Sequence, residues 1–219
     1  MNIGIYLEKF FNFLFPKYCG KCGVEGTYLC LACLAKIPPA QFSGNSGISA
    51  LFDYRDPALR KALWRLKYNG VKELAETMGK LLYEKMIYEM SEEMQFKKIN
   101  DIIVVPIPLS QHKLSERGFN QVALIAEEML KNDSEGLFSY HPNLLIKNRD
   151  TKSQMTIKNR AERLKNLSGS FSARDKNILR GAYVIVIDDI TTTGATLNEA
   201  IKVLHENGAK NVRAFAVAH

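Results

Sequence analysis

The fold of this chain is decided by one stretch, Val184-Ile185-Val186-Ile187-Asp188-Asp189-Ile190-Thr191-Thr192-Thr193-Gly194-Ala195-Thr196. A run of apolar residues ends in two carboxylates, and threonines and small residues follow before a helical pattern begins. This order predicts a buried strand, a tight loop and the N-terminus of a helix. Ligands of open α/β sheets bind beyond the carboxyl ends of the strands, so the stretch also predicts a binding site.

The predicted loop has the donors for a phosphate group. The backbone N–H groups of residues 192–196 and the positive end of the following helix would hold the anion, and the threonine hydroxyls would add hydrogen bonds. Gly194 lets the backbone approach closely. Asp188 and Asp189 would face the neighbouring part of the ligand, where two acids suit a vicinal diol or a hydrated magnesium ion. A sugar phosphate fits both halves.

Two other interpretations of the loop are open to the sequence. Asp188 and Asp189 could simply cap the next turn while the threonines are solvated, and an isolated Asp-Asp pair would favour that interpretation. The full arrangement of strand, acids, threonines and helix favours a ligand site instead. A Walker-type nucleotide site would require Gly-x-x-x-x-Gly-Lys-Ser/Thr, which the sequence does not contain.

Strand and helix patterns alternate along the rest of the chain. We expect strands at residues 49–54, 101–105, 144–146, 182–187 and 212–217, and helices at residues 57–68, 71–90, 118–130, 157–167 and 194–207. Such alternation predicts an α/β fold, in which right-handed crossovers build a parallel sheet with helices on both faces.

The cysteines form two Cys-x2-Cys knuckles, Cys19 with Cys22 and Cys30 with Cys33. Gly20 and Gly23 stand where a turn around a metal–thiolate centre needs a positive φ. Four thiolates predict a closed, structural zinc site, with two disulfides as the alternative. Residues 38–47 have the composition of a linker, so we expect a zinc module at residues 1–40 and a second domain at residues 47–219.

The positive charge is concentrated in one segment. Residues 141–181 contain ten Lys or Arg against three acids, an excess equal to the formal net charge of +7 of the whole chain. Arg160 and Arg163 lie on one face of the helix predicted there. The apolar residues 3–16 lack a basic leader and a cleavage site, and we interpret them as an amphipathic helix. No apolar run is long enough to span a bilayer.

Residues 187–196 resemble the phosphoribosyl-pyrophosphate motif of type I phosphoribosyltransferases. The resemblance extends over nearly the whole chain to the ComF family of competence-associated proteins. The residues that carry it are Cys19-Gly20-x-Cys22-Gly23, Leu66-Lys67-Tyr68-x-Gly70, Val105-Pro106-Ile107-Pro108-Leu109, Arg117-Gly118-Phe119-Asn120-Gln121, and Thr151-x-x-Gln154 with Arg160, Arg163 and Asn166. The resemblance implies a type I phosphoribosyltransferase-like sheet preceded by a small zinc module with four cysteine ligands.

The resemblance also implies roles for particular residues. Asp188 and Asp189 would hold the ribose hydroxyls, residues 191–196 the 5-phosphate, and the loop that contains Pro106 and Ile107 would lie near the pyrophosphate. The implied reaction displaces pyrophosphate at the anomeric carbon, with magnesium and cationic side chains stabilising the leaving group.

Several cations could serve that leaving group. Lys113, Arg117 and Arg149 are the candidates, although Arg117 could instead pair with Glu116 or Glu127, and Arg149 could be an ordinary loop charge. We interpret Lys67 and Tyr68 as packing residues at the edge of the core.

Two functions follow as hypotheses, both for a cytoplasmic protein. One is a binding protein for single-stranded DNA that works with other DNA-uptake proteins and keeps the phosphoribosyl site as a nucleotide pocket. The other is an active phosphoribosyltransferase on an unidentified base or amine. Arg160 and Arg163 would track the DNA backbone in the first and cover pyrophosphate in the second.

Replacing both Arg160 and Arg163 by Ala distinguishes these uses. We expect weaker binding of single-stranded DNA at every sequence tested, and a slope of log affinity against log salt that falls by about 0.7 per lost contact. The affinity for phosphoribosyl pyrophosphate should barely change. Both affinities are measured on the same variant across a salt series. A large loss for the small ligand with an unaltered DNA slope would refute the DNA role.

Overall fold

The computed structural model describes residues 16–41, 47–99, 101–148 and 169–219. The helix predicted at residues 157–167, and the one at residues 3–16 except for Pro16, lie outside these residues. The candidate site residues Arg149, Arg160 and Arg163 also lie outside them.

Five parallel strands form the main sheet. Their bounds are β1 Ile48–Phe52, β2 Ile102–Pro106, β3 Phe138–Tyr140, β6 Tyr183–Ile190 and β7 Asn211–Ala218. Two further strands, β4 Leu145–Lys147 and β5 Phe171–Ala173, form a separate antiparallel pair. The order in the main sheet is β1-β7-β6-β2-β3. The predicted parallel sheet is confirmed.

Helices cover both faces of this sheet. They are α1 Leu31–Leu34, α2 Pro57–Asn69, α3 Lys72–Lys97, α4 Gln111–Arg117, α5 Gln121–Leu130, α6 Lys176–Leu179 and α7 Ala195–Glu206. The side chains of successive β6 residues point to opposite faces of the sheet. Ile185 and Ile187 are buried in the core that contains α3 and α5, whereas Val184 and Val186 are buried in the core that contains α7.

The order of the strands fixes where a ligand can bind. After β2 the chain continues to β3 on one side, and after β6 it continues to β7 on the other side. The connections therefore diverge beyond the carboxyl ends of β2 and β6, which are hydrogen-bonded neighbours with Pro106 opposite Ile187. Such a switch point leaves a crevice where ligands bind in open α/β sheets. Asp188 and Asp189, called the acid pair below, lie at this crevice.

The prediction for residues 144–146 was only partly right. A strand forms there, but it pairs antiparallel with β5 outside the main sheet, and Leu145 and Phe171 are buried in the same core as α7. The edge of the main sheet is occupied by β3, whose residues are only half-buried and give no apolar run. The helix predicted from residue 118 begins at Gln121, because Gly118 ends the short helix α4 in the left-handed conformation.

The cysteine segment packs directly on α2. Cys19, Cys33 and Leu34 are buried in one core with Leu59 and Leu63 of that helix. No helix in the described part of the chain is long and apolar enough to cross a membrane.

Helices α3 and α5 approach closely at Gly79. A Cβ placed there would lie 2.6 Å from the backbone nitrogen of Met129 and 2.8 Å from the carbonyl oxygen of Ile125. Both contacts are with backbone, which cannot move aside as a side chain can. The close packing of α3 on α5 therefore requires a residue without a side chain at position 79.

We expect Gly79→Ala to lower the free energy of unfolding. Overpacking costs about 1–3 kcal/mol, which exceeds the gain of up to about 1 kcal/mol in helix propensity. Denaturant unfolding followed by circular dichroism measures the change. Ser91→Ala, at an exposed position of the same helix, is the control and should be neutral or slightly stabilising. A Gly79→Ala protein as stable as the wild type would contradict this account of the helix contact.

Candidate functional site

The acid pair stands near the carboxyl end of β6. The pairing of β6 with β2 ends at Ile187, so Asp188 and Asp189 extend past the end of β2. Both side chains are buried, and the Asp189 N–H donates to Oδ1 of Asp188 at 2.8 Å. Burial, with the adjacent Asp189 carboxylate, raises the pKa of Asp188 well above the ordinary range of a carboxyl. Two carboxylates in such a place favour binding a cation or donated hydroxyls.

Asp189 is held by side chains from two different helices. Lys67 of α2 places Nζ 2.9 Å from Oδ2 of Asp189, and Gln121 of α5 donates from Nε2 to the same oxygen at 3.1 Å. The sequence interpretation of Lys67 as a packing residue is corrected by this ion pair. Gln121 is buried and was not among the predicted site residues. Lys67 and Gln121 both belong to segments that carry the family resemblance. That resemblance is the feature of the sequence that could have identified them as site residues.

Arg117 joins the same cluster. It donates from Nη1 to Oε1 of Gln121 at 2.9 Å, and its guanidinium carbon lies 5.2 Å from the ring centre of Tyr68. These contacts replace the alternative pairing with Glu116 or Glu127. The Nε atom of Arg117 is buried and has no hydrogen-bond partner among the described residues. Arg117 is therefore connected to the acid pair through Gln121, and its Nε–H has no acceptor among the described residues.

The predicted phosphate loop runs from the end of β6 into α7. The Thr191 N–H donates to the carbonyl of Ala218 at 2.8 Å, so the sheet uses this amide. Gly194, with φ 72°, takes the left-handed conformation and precedes the first turn of α7. The first N–H groups of a helix have no partner within it. The hydroxyl oxygen of Thr193 is buried without a hydrogen-bond partner in the described part of the chain.

The loop after β2 is fixed on the other side of the crevice. Pro106 and Ile107 are buried, and the Ile107 N–H donates to the carbonyl of Ile187 at 2.9 Å. The side chain of Asn120 donates to the carbonyl of Ile107 at 3.0 Å. The loop is thereby attached to the residue that precedes Asp188 and to the N-terminus of α5.

A glycine contact brings two of the motifs together. Gly70 ends α2 with φ 59°, and a Cβ added to it would lie 3.3 Å from the ring of Phe119. This close approach, with the contacts of Lys67 and Arg117, places residues 66–70 beside residues 117–121. The structure thus gathers three separate segments of the sequence around the acid pair.

The four cysteines lie together as predicted. Their Sγ atoms are all within 4.8 Å of one another, and the Sγ atoms of Cys22 and Cys30 are 3.6 Å apart. A tetrahedral zinc ion with bonds of about 2.3 Å requires sulfur separations of about 3.8 Å. All four are free thiols in the structure. They could hold one metal ion, and zinc suits a set of four thiolates.

The two glycines of the first knuckle differ in role. Gly23 has the positive φ that was expected, 76°. Gly20 does not, and the expectation for it was wrong. A Cβ on Gly20 would lie 3.3 Å from the side chain of Lys61, so this glycine serves the close packing of the cysteine segment on α2.

The sheet and its loop define the class of protein. A model of the phosphoribosyl transferase domain matches residues 145–219. Solved structures of low similarity include glutamine phosphoribosylpyrophosphate amidotransferase from B. subtilis, with a TM-score of 0.39 and 20% identity over 65% of this chain and 25% of that one. The match to the phosphoribosyl transferase domain over residues 145–219 assigns the chain a phosphoribosyltransferase-like domain.

Relatives in three bacteria show the family. Competence protein F of Haemophilus influenzae is 30% identical over 93% of this chain and 85% of its own length. Competence protein ComFC of Bacillus subtilis is 31% identical over 77% of this chain and 62% of its own length. DNA utilization protein YhgH of Escherichia coli O157:H7 is 28% identical over 91% and 82%. The chain belongs to the ComF family.

Metal analysis tests the cysteine cluster. We expect the purified protein to contain about one zinc ion per chain, and Cys19→Ser with Cys22→Ser to release it, because two of four ligands are lost. The thiols of the wild-type protein should react with an alkylating reagent once a chelator has removed the metal. No zinc in the wild type, with thiols that react only after reduction, would show that they form disulfides instead.

Proposed function

We propose that this chain is a cytoplasmic protein that binds phosphoribosyl pyrophosphate, or a related 5-phosphoribosyl ligand, together with Mg²⁺, and that it serves DNA uptake in natural transformation. The observation that carries the ligand assignment is the acid pair at the switch point of the sheet, followed directly by a loop and a helix N-terminus. In this loop the Thr193 hydroxyl is buried and has no hydrogen-bond partner among the described residues. Each part suits one part of the ligand.

The 5-phosphate would lie at the N-terminus of α7. The backbone amides at the start of α7 and the positive end of this 12-residue helix would attract an anion. The Thr193 hydroxyl would donate to a phosphate oxygen, which explains a buried polar atom that no described residue satisfies.

The ribose hydroxyls would meet Asp188 and Asp189. A vicinal diol donates two hydrogen bonds, and two adjacent carboxylates accept them. Asp188 and Asp189 are the residues that would hold a magnesium ion. Its positive charge would offset the repulsion of the two acids and lower the cost of ionising the buried Asp188.

The role in DNA uptake is supported by the relatives. Two of them are named as competence proteins and one as a DNA utilization protein. The concentration of positive charge in residues 141–181 is what a partner with a phosphate backbone requires. A partner of this kind could be single-stranded DNA alone or DNA held by other proteins of the uptake machinery.

A second candidate is an active phosphoribosyltransferase. The buried Nε of Arg117, unpartnered among the described residues, favours it, because this donor lies beside the acid pair, where a pyrophosphate leaving group gains negative charge. Release of pyrophosphate in the presence of a panel of bases and amines distinguishes turnover from binding alone.

Asp188→Asn with Asp189→Asn tests the ligand site. We expect the affinity for phosphoribosyl pyrophosphate with Mg²⁺ to fall by more than about 100-fold, because two charged hydrogen bonds worth about 1.5–3 kcal/mol each are lost. Calorimetry measures the affinity, and circular dichroism checks the fold. Asp101→Asn is the matched control, since Asp101 is exposed at the opposite, amino end of β2, and its affinity should equal that of the wild type. Unchanged affinity in the folded double variant would remove the acid pair from the site.

A further inference from the structure

Lys67 and Asp189 form the least exposed ion pair among the described residues. The Nζ atom of Lys67 lies 2.9 Å from Oδ2 of Asp189, and the two side chains are 20% and 7% exposed. In every other ion pair of the described residues, both side chains are more exposed. Replacing a buried ion pair by an apolar pair of similar volume often leaves stability unchanged or raises it. Stability alone therefore does not explain why a lysine stands here.

The two donors to Asp189 contact the same oxygen atom. Lys67 reaches Oδ2 from α2, and Gln121 donates to Oδ2 at 3.1 Å from the start of α5. A carboxylate oxygen has two lone pairs, and these two donors use both of them. A metal ion could therefore bind Oδ2 only by displacing one of the two donors.

The end of α2 fixes the position of Lys67. The lysine lies in the last turn of the helix, which Gly70 closes in the left-handed conformation with φ 59°. A Cβ on Gly70 would lie 3.3 Å from the ring of Phe119, so the backbone packs tightly on the segment that precedes α5. The ammonium group is therefore placed on Asp189 by a helix end that is itself held in position.

The positive charge of Lys67 changes what the acid pair can hold. Two ionised carboxylates match the charge of one divalent cation, but with the lysine the three groups carry a single net negative charge. The guanidinium of Arg117, which bonds Gln121 at 2.9 Å, adds a further positive charge to the cluster. Mg²⁺ gives up its water reluctantly and is commonly held by one or two carboxylates together with the phosphates of a substrate. The acid pair is therefore a poor site for the ion alone.

We propose that Lys67 is a built-in counter-cation that excludes the bare divalent ion from the acid pair, so that the metal enters only together with a phosphate-bearing ligand. This rests on the proposed function, in which Asp188 and Asp189 hold magnesium. The ammonium group occupies a position on Asp189 that a metal ion would otherwise take, and the phosphates of the ligand supply the negative charge that the lysine has cancelled. Removal of Lys67 should therefore increase the binding of metal alone. A lysine that served only the fold would give a loss instead, because its removal would disturb the acid pair.

Mn²⁺ without any other ligand is the probe, because carboxylate oxygens bind it as they bind Mg²⁺. The electron paramagnetic resonance signal of the free ion measures how much is bound. We expect the wild-type protein to bind Mn²⁺ weakly and Lys67→Met to bind it about 10- to 150-fold more tightly, which is the worth of one hydrogen bond to a charged group. Adding Asp189→Asn to Lys67→Met should abolish the gain.

Further variants separate the charge of Lys67 from its other properties. Lys67→Arg keeps the positive charge and should bind Mn²⁺ as weakly as the wild type. Lys67→Gln loses the charge but keeps a donor for Asp189, and it should show the gain even if Lys67→Met fails to fold, which circular dichroism checks. Lys85→Met is the matched control, since Lys85 pairs with Glu89 at 2.8 Å on α3 and Arg213 still contacts that carboxylate. Its Mn²⁺ binding should equal that of the wild type.

Phosphoribosyl pyrophosphate distinguishes this proposal from the function on which it rests. We expect the ligand to raise the affinity for Mn²⁺ by a larger factor in the wild type than in Lys67→Met, because the variant already binds the bare ion. Equal Mn²⁺ affinity in the wild type, Lys67→Met and Lys67→Gln, or a gain that persists with Asp189→Asn, overturns the role of Lys67 while the proposed function stands. If phosphoribosyl pyrophosphate with Mg²⁺ does not bind the wild type, the proposed function is refuted, even where Lys67→Met gains Mn²⁺.

Discussion

The ion pair between Lys67 and Asp189 joins parts of the chain that are 122 positions apart in the sequence and places them at one end of the sheet. Asp189 is buried, and a buried carboxylate is unfavourable unless charge and hydrogen bonds compensate it. Lys67 supplies the charge and Gln121 the hydrogen bond. Because Lys67 lies in the last turn of α2 and Gln121 is the first residue of α5, Asp189 connects the end of one helix and the start of the other to the sheet.

Helix α2 serves the cysteine cluster as well as the acid pair. At its N-terminus, Asp56 accepts from the amides of Ala58 and Leu59 and pairs with Lys21 of the first knuckle at 3.1 Å. In the middle of the helix, the guanidinium of Arg65 lies 4.6 Å from the ring centre of Tyr28. At its C-terminus, Lys67 reaches Asp189. A metal that orders the cysteine segment would thus stabilise the same 13-residue helix that supplies Lys67 to the acid pair.

The sequence was sufficient for features that depend on local pattern. The strand, acid pair and loop of residues 184–196 follow from a change of composition, and the cysteine knuckles follow from spacing alone. The antiparallel pairing of β4 and the position of β3 at the edge could not be predicted, since a run of three residues shows burial but not its partner. The role of Lys67 was missed for a similar reason, because a lysine on a helix gives no sign of which distant carboxylate it meets. The family resemblance identified residues 66–70 and 117–121 as important segments, and the fold showed which of their side chains contact the acid pair.

The balance of charge at the crevice explains why these groups suit a ligand better than they suit the core. An apolar pair in place of Asp188 and Asp189 would pack beside Ile187 without any cost of desolvation, whereas burial of two adjacent acids opposes their ionisation. One lysine balances only one of the two charges, and the Thr193 hydroxyl and the Arg117 Nε are satisfied by none of the described residues. The unmatched groups are an acceptor pair, a hydroxyl and a cationic donor, arranged around one crevice. The proposed ligand, with a diol, a phosphate and a bound divalent cation, would satisfy all of them at once, whereas an arrangement selected for stability alone would have no reason to leave them unmatched.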